Sequence, residues 1–202
     1  MTDGTFSTVV VPGRPTGVLA DAWGRSAVRD VILTVSAAAA VGAAAQIVIP
    51  VPGSPVPITG QTFAVLLVGA TLGASRGAAG MLLYVAAGAL GVPWFADGTA
   101  GWPAATAGYL LAFILAAALT GQLAALGADR RPWHTIGLMA AGNALIYLVG
   151  VPWLAFATGM DLATALAKGF VPYLIGDVLK TALAAALLPA AWMLVNRRLT
   201  GR

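Results

Sequence analysis

The feature that most constrains this chain is its shortage of ions: charged residues make 9% of its 202 positions, against 59% apolar. A water-facing domain carries about a quarter charged residues, so this chain cannot dress a solvent-exposed surface. That excludes an ordinary soluble enzyme and a disordered segment. The absence of cysteine excludes a disulfide-stapled secreted domain. The 25 glycines and 12 prolines sit inside apolar runs, where membrane helices tolerate them. With a mean hydropathy of +0.89, the class that remains is an all-α polytopic membrane protein.

Apolar stretches of bilayer length predict six spans: Val28–Ile49, Gln61–Leu72, Gly77–Leu90, Ala104–Leu126, Thr135–Phe156 and Phe170–Val195. The second and third are short, and either need flanking residues to cross or form one hairpin that crosses only partly. The connecting segments alternate in character. Residues 50–60 (PVPGSPVPITG) and 92–103 (VPWFADGTAGWP) are rich in Pro, Gly and aromatics and hold no Lys or Arg. Arg14, Arg25, Arg29, Arg76, Arg130, Arg131, Arg197, Arg198 and Arg202 fall on the opposite side, nine of the 11 cations; Lys168 faces the other way and Lys180 lies within a span. Cytoplasmic segments collect Lys and Arg, so both termini are expected in the cytoplasm of a multi-pass cell-membrane protein. The expected organisation is a cytoplasmic tail over 1–27, with an interfacial helix near Val18–Arg25, a membrane domain over 28–196 and a cytoplasmic tail over 197–202. The tail is too polar for a secretory signal, no repeat stands out, and the scattered cations build no face for nucleic acid.

The informative residues are polar groups inside the spans. Asp177 and Lys180 stand at i, i+3 on one helix face, about 10 and 15 Å along the span counted from Phe170. Isolated charges at that depth cost at least about 2.5–3.5 kcal/mol, so they must face protein or a wet cavity. A ligand site open to the outside and a self-neutralising helix clamp both satisfy that need. Asn143, mid-span, has the same two options, and Tyr147 one turn on reads as an interfacial anchor. Thr59, Gln61 and Thr62 open the second span as caps or as part of a cavity under the Pro-rich loop. Trp94, Phe95, Trp102 and Tyr109 form either an aromatic belt or a lid over a flat ligand. Ala39, Ala40, Ala43 and Ala44 give the first span a smooth face for close helix approach, inside the protein or against another one.

Reactive constellations are missing from the chain. One His (His134) and no Cys leave no Cys/His pair and no plausible zinc or other metal site. No Gly-x-Ser-x-Gly elbow occurs, and neither lysine follows a glycine as in a phosphate-binding loop. The chain is therefore expected to be no enzyme and to carry no cofactor.

Four segments, in order, resemble one family. They are Val56-Pro57-Ile58-Thr59-Gly60-Gln61-Thr62-Phe63; Leu83-Tyr84 through Gly88-Ala89-Leu90-Gly91-Val92-Pro93-Trp94-Phe95; Thr106-Ala107-Gly108-Tyr109-Leu110; and Gly176-Asp177-Val178-Leu179-Lys180. Together they are similar to the BioY family, the biotin-binding S components of energy-coupling-factor (ECF) vitamin importers, over about residues 37–190. Where that family tends to read Gly-Pro-Thr-Gly-Gly-Tyr, this chain reads Ala-Ala-Thr-Ala-Gly-Tyr from Ala104 to Tyr109, so Ala104 and Ala107 add methyl groups near the outer cavity and Ala105 stands in place of Pro.

The resemblance implies a six-helix S-component bundle that captures biotin from outside. It also implies partners, namely an ECF transmembrane coupling subunit and ABC-type ATPases, with Ala39, Ala40, Ala43 and Ala44 facing the coupling subunit. The biotin site it implies holds Asp177, Lys180, Asn143, Thr59, Gln61, Tyr84, Phe95, Thr106 and Tyr109. Asp177 suits the ureido N–H groups, and Lys180 either balances Asp177 or meets the carboxylate. The alternatives are an S component for another vitamin, or a structural membrane protein in which Asp177 and Lys180 only hold helices together.

Overall fold

The computed structural model describes residues 17–23 and 26–200. Its helices are α1 (Ala27–Ala45), α2 (Gln61–Leu72), α3 (Ala74–Ala89), α4 (Ala107–Ala125), α5 (Pro132–Thr158), α6 (Leu162–Gly169) and α7 (Leu174–Thr200). Six of the seven match the six apolar stretches, and α6 is an additional short helix. Among the described residues, four apolar segments are long enough to cross a membrane: α1, α4, α5 and the stretch 162–198 that contains α7. The expectation of six full spans is corrected at α2 and α3, which have 12 and 16 residues.

The ends of the elements differ from the apolar runs for local reasons. Residues 47–49 leave the helix, and β1 (Val48–Ile49) pairs antiparallel with β2 (Ile58–Thr59), so the first span ends at Ala45. Gly73, at φ +90°, joins α2 directly to α3 in a conformation that favours glycine. Arg76 therefore lies in the first turn of α3, not in a connecting turn. Asp161 accepts from the Thr164 N–H at 2.9 Å and starts α6. A 3-10 turn, Val171–Tyr173, follows before α7 opens at Leu174. The sixth span thus begins four residues later than Phe170.

Helix α4 is the centre of the bundle, packed on α2, α3 and α5. Lipid offers no hydrophobic drive between helices, so close approach through small residues holds such a bundle together. A Cβ on Gly69 of α2 would overlap Thr120 Oγ1 and the Ala117 carbonyl of α4, and a Cβ on Gly80 of α3 would come 2.7 Å from the Ala37 Cβ of α1.

The end of the bundle away from the β1–β2 hairpin is tied by charge. Arg76 bonds Asp21 at 3.0 Å and Asp30 at 2.8 Å. Arg130 donates to the Gly17 carbonyl at 3.2 Å and stacks 4.5 Å over the Trp192 ring. In place of an interfacial helix, the described part of residues 18–25 forms a 3-10 turn, Leu19–Trp23, with Val18, Leu19 and Ala20 buried. Arg14, Arg25 and Arg202, and most of the expected 1–27 tail, lie outside the described residues.

Candidate functional site

At the opposite end, the 48–59 hairpin, the 90–106 segment and α6 roof a cavity of about 480 Å3. Its walls are mostly apolar, with a few convergent polar groups, and its size falls in the small-molecule range of roughly 300–1,000 Å3. Thr59, Gln61, Thr62, Phe95, Thr106, Tyr109, Tyr147, Tyr173, Asp177 and Lys180 all contribute to it. Thus the structure brings together seven of the nine residues expected at the site.

Asp177 sits in the first turn of α7, only about 4.5 Å along the helix from Leu174, with Lys180 about 9 Å along. The depths counted from Phe170 are corrected accordingly. Tyr147 Oη on α5 donates to Asp177 Oδ2 at 2.5 Å. Lys180 Nζ donates to the Thr59 carbonyl at 2.9 Å and to Thr62 Oγ1 at 2.8 Å, and lies 3.6 Å from Asp177 Oδ1. Two of the three ammonium hydrogens therefore have hydrogen-bond acceptors, and the Asp177 carboxylate lies just beyond that reach. Asp177 Oδ1 is buried and accepts no hydrogen bond, although the residue is only 7% exposed. A buried carboxylate oxygen left without a donor is costly, and here it belongs to a cavity wall.

Thr59 closes β2 and serves twice. Its Oγ1 accepts from the Gln61 N–H at 3.3 Å and donates to Gln61 Oε1 at 3.2 Å, so capping and cavity lining coincide. Gln61 Nε2 then donates to Tyr84 Oη at 2.6 Å. Tyr84 itself is fully buried behind the wall, packed between Trp94 and Phe95, and supports Gln61 without lining the cavity. Phe95 is buried and lines it, Trp94 folds against α3 through a 3.0 Å bond from its Nε1 to the Tyr84 carbonyl, and Trp102 is exposed. Neither a uniform belt nor a uniform lid describes these rings. Tyr109 Oη donates to the Gly169 carbonyl at 2.9 Å, holding the end of α6 to α4.

Asn143 is not brought to the cavity. It lies one turn before Tyr147 on α5 but farther from the roof, and its buried Oδ1 accepts no hydrogen bond. Tyr147, which reads as an anchor in the sequence, lines the cavity, and Tyr173 and Ser54, which no sequence motif marks, support its roof. Tyr173 Oη donates to the Val56 carbonyl at 2.5 Å, and Ser54 Oγ to the Lys168 carbonyl at 2.9 Å, so they fasten the hairpin to the 3-10 turn before α7 and to α6. The signal for Tyr147 was its i+4 relation to Asn143 and for Tyr173 its place four residues before Asp177.

Of the alanines on α1, Ala39, Ala40 and Ala43 are exposed beside Val28, Val31, Ile32 and Val35, and form one outward stripe. Ala44 is half-buried, and its carbonyl accepts from Gly60 N–H at 3.1 Å.

The BioY family model matches residues 16–197. The chain is 32% identical to the biotin transporter BioY of Rhizobium etli, over 79% of this chain and 90% of that one. It is 37% identical to the biotin transporter BioY of Thermotoga maritima, over 68% and 81%. Its fold is that of the crystallised S-component for biotin from an ECF-type ABC transporter, with a TM-score of 0.69 at 23% identity, covering 87% of this chain and 92% of that one.

Proposed function

As the chain belongs to the BioY family, we propose that it is the biotin-capturing S component of an ECF importer and that the cavity beneath the hairpin is its biotin site. The observation that carries the site assignment is Asp177 Oδ1, a buried carboxylate oxygen that accepts no hydrogen bond on a mostly apolar wall. A ureido ring brings N–H groups that suit such an acceptor in a charge-assisted bond. Tyr147 fixes the other carboxylate oxygen. Lys180 donates to Thr59 and Thr62 and lies 3.6 Å from Asp177 Oδ1, beyond hydrogen-bond reach, so it balances the Asp177 charge and leaves the biotin carboxylate to other groups at the rim. Thr59, Gln61, Phe95, Thr106 and Tyr109 shape the wall, with Tyr84 behind Gln61.

The protein is embedded in the membrane, and the cation-bearing end lies away from the cavity. The positive-inside rule therefore supports a cytoplasmic location for both termini and an outward-opening site. The exposed Ala39, Ala40 and Ala43 support docking of an ECF coupling subunit along α1, whose ATPases would drive release inward. Such a protein moves its ligand and performs no bond chemistry.

The test is calorimetric titration of the purified protein with biotin, in competition with riboflavin and thiamine. Saturable biotin binding that neither vitamin displaces is expected. Displacement of the bound ligand by another vitamin alone would reassign the substrate, and no binding of any vitamin by folded protein would leave Asp177 and Lys180 as a helix clamp.

A further inference from the structure

We propose that Gln46, which ends α1, is a positioning residue that holds the 94–99 turn over the cavity and thereby sets how long a ligand remains; this rests on the cavity being the ligand site. Phe95, Ala96, Asp97 and Thr99 of that turn line the cavity. The two hydrogens of Gln46 Nε2 are shared among the carbonyls of Gly42 at 2.9 Å, Trp94 at 3.2 Å and Phe95 at 3.2 Å, while its Oε1 accepts from the Gly98 N–H at 3.1 Å. A side-chain amide offers two donor hydrogens and an acceptor at one reach, and the turn uses both functions.

The turn has reason to need an outside tie. Asp97 at φ +60° and Gly98 at φ +67° are consecutive left-handed residues, an arrangement that costs an L side chain energy. Its internal bonds, Phe95 N–H to the Thr99 carbonyl at 3.0 Å and Gly98 N–H to the Phe95 carbonyl at 3.1 Å, keep it a turn but do not fix where it sits. Trp94 is fixed from the other side by Tyr84, whose Oη donates to the Trp94 carbonyl at 3.2 Å. Among the described residues, no other side chain from outside the turn hydrogen-bonds residues 95–98. Gln46 therefore fixes the part of the turn that closes the cavity. Gly42 makes this geometry available, since a Cβ there would press within 3.2 Å of the Trp94 ring.

Gln46 is exposed at the rim, so substituting it opens no void in the core. Q46E keeps an acceptor for Gly98 but turns a carboxylate oxygen toward three carbonyls. Q46M keeps the length and removes both functions. Dissociation of labelled biotin is chased from wild type and both variants in detergent, and deuterium uptake of the 94–101 segment is measured without ligand. Both variants are expected to release biotin about tenfold faster, as losing these hydrogen bonds implies, and to exchange faster over 94–101 with unchanged unfolding temperature. Dissociation within twofold of wild type in both variants, or unaltered exchange, overturns the role of Gln46. If wild type binds no biotin, the site assignment fails instead, and the exchange measurement still decides whether Gln46 holds the turn.

Discussion

Truncating Asp177 is the sharpest perturbation, because the two oxygens of its carboxylate have different partners. Oδ2 receives the Tyr147 hydroxyl at 2.5 Å, and Oδ1 faces the Lys180 ammonium at 3.6 Å without accepting a hydrogen bond. Asp177→Ala removes the acceptor that a ureido N–H would meet. A hydrogen bond to a charged group is worth about 1.5–3 kcal/mol, so biotin affinity should fall roughly 10- to 150-fold. Asp177→Asn retains an acceptor oxygen without its charge, because its NH2 can face Tyr147 Oη. The difference between charged and neutral acceptors, about 1–1.5 kcal/mol, predicts a milder loss of roughly 5- to 15-fold. Both variants leave the Lys180 ammonium bonded to Thr59 and Thr62, which limits the damage to folding. Calorimetric titration with biotin, with circular dichroism as the folding control, reads the order wild type, Asn, Ala. A folded Asp177→Ala protein that binds biotin within twofold of wild type would refute the reasoning, and with it the site.

Further substitutions probe the rest of the arrangement. Tyr147→Phe keeps the ring but removes the hydroxyl that orients Asp177, so biotin affinity should drop roughly 5- to 30-fold, equivalent to about 1–2 kcal/mol; unchanged affinity would show that Asp177 needs no orientation. Gly69→Ala forces a methyl onto Thr120 and the Ala117 carbonyl and should cost about 2–3 kcal/mol of stability. Gly137→Ala, with open space around its Cβ position, should cost nothing, and thermal unfolding of the pair compares them directly. Asp129, in the α4–α5 loop, is fully buried beside Trp192, whose Nε1 donates to Oδ2 at 2.5 Å, and burial raises its carboxyl above the ordinary 3.8. A raised pKa favours the folded state below the ordinary value, and that contribution is lost as pH rises through the raised one. The unfolding temperature of wild type should therefore fall relative to Asp129→Asn as pH climbs from about 4, and parallel curves would disprove it.

Periodicity and charge made the helices legible but not their ends. The apolar run through Ile47–Ile49 gives no hint that Val48 and Ile49 pair with Thr59 and Ile58, because strand and helix share the same apolar vocabulary at short length. Helix α6 was hidden for the opposite reason: its eight residues fall between two strong stretches, although Asp161 and Thr164 mark its start. At the site, Asp177 and Lys180 announce themselves, since charges inside apolar runs require a partner. Thr59, Gln61, Phe95, Thr106 and Tyr109 were legible through motifs, and all five line the cavity. Asn143 and Tyr84 were not resolved, because position along a helix fixes depth but not which neighbour the residue meets. Tyr84 faces Trp94 and Phe95, and the cavity wall stands one residue in front of it, at Gln61.

The two ends of the bundle are held by different chemistry, and that difference bears on how a ligand could enter. The cation-bearing end is fastened by the Arg76 pairs with Asp21 and Asp30 and by Arg130 stacked on a buried Trp192. Charge-assisted bonds of that kind are roughly twice as strong as neutral ones. Over the cavity, the 94–99 turn and the tip of the hairpin are held by neutral hydrogen bonds to backbone groups, from Gln46, Tyr173 and Ser54, and a charged donor, Lys180, reaches only the Thr59 end of the hairpin. Each neutral bond is worth about 0.5–1.5 kcal/mol net, and segments so attached occupy the low end of the local-stability range. Opening is therefore cheapest over the cavity and dearest at the opposite end. A protein that must admit a ligand at one membrane face while staying closed at the other gains from that asymmetry. Its polar anchor fits the same pattern, because Asp177 and Lys180 lie in the first turns of α7, immediately beneath the segments that yield most easily.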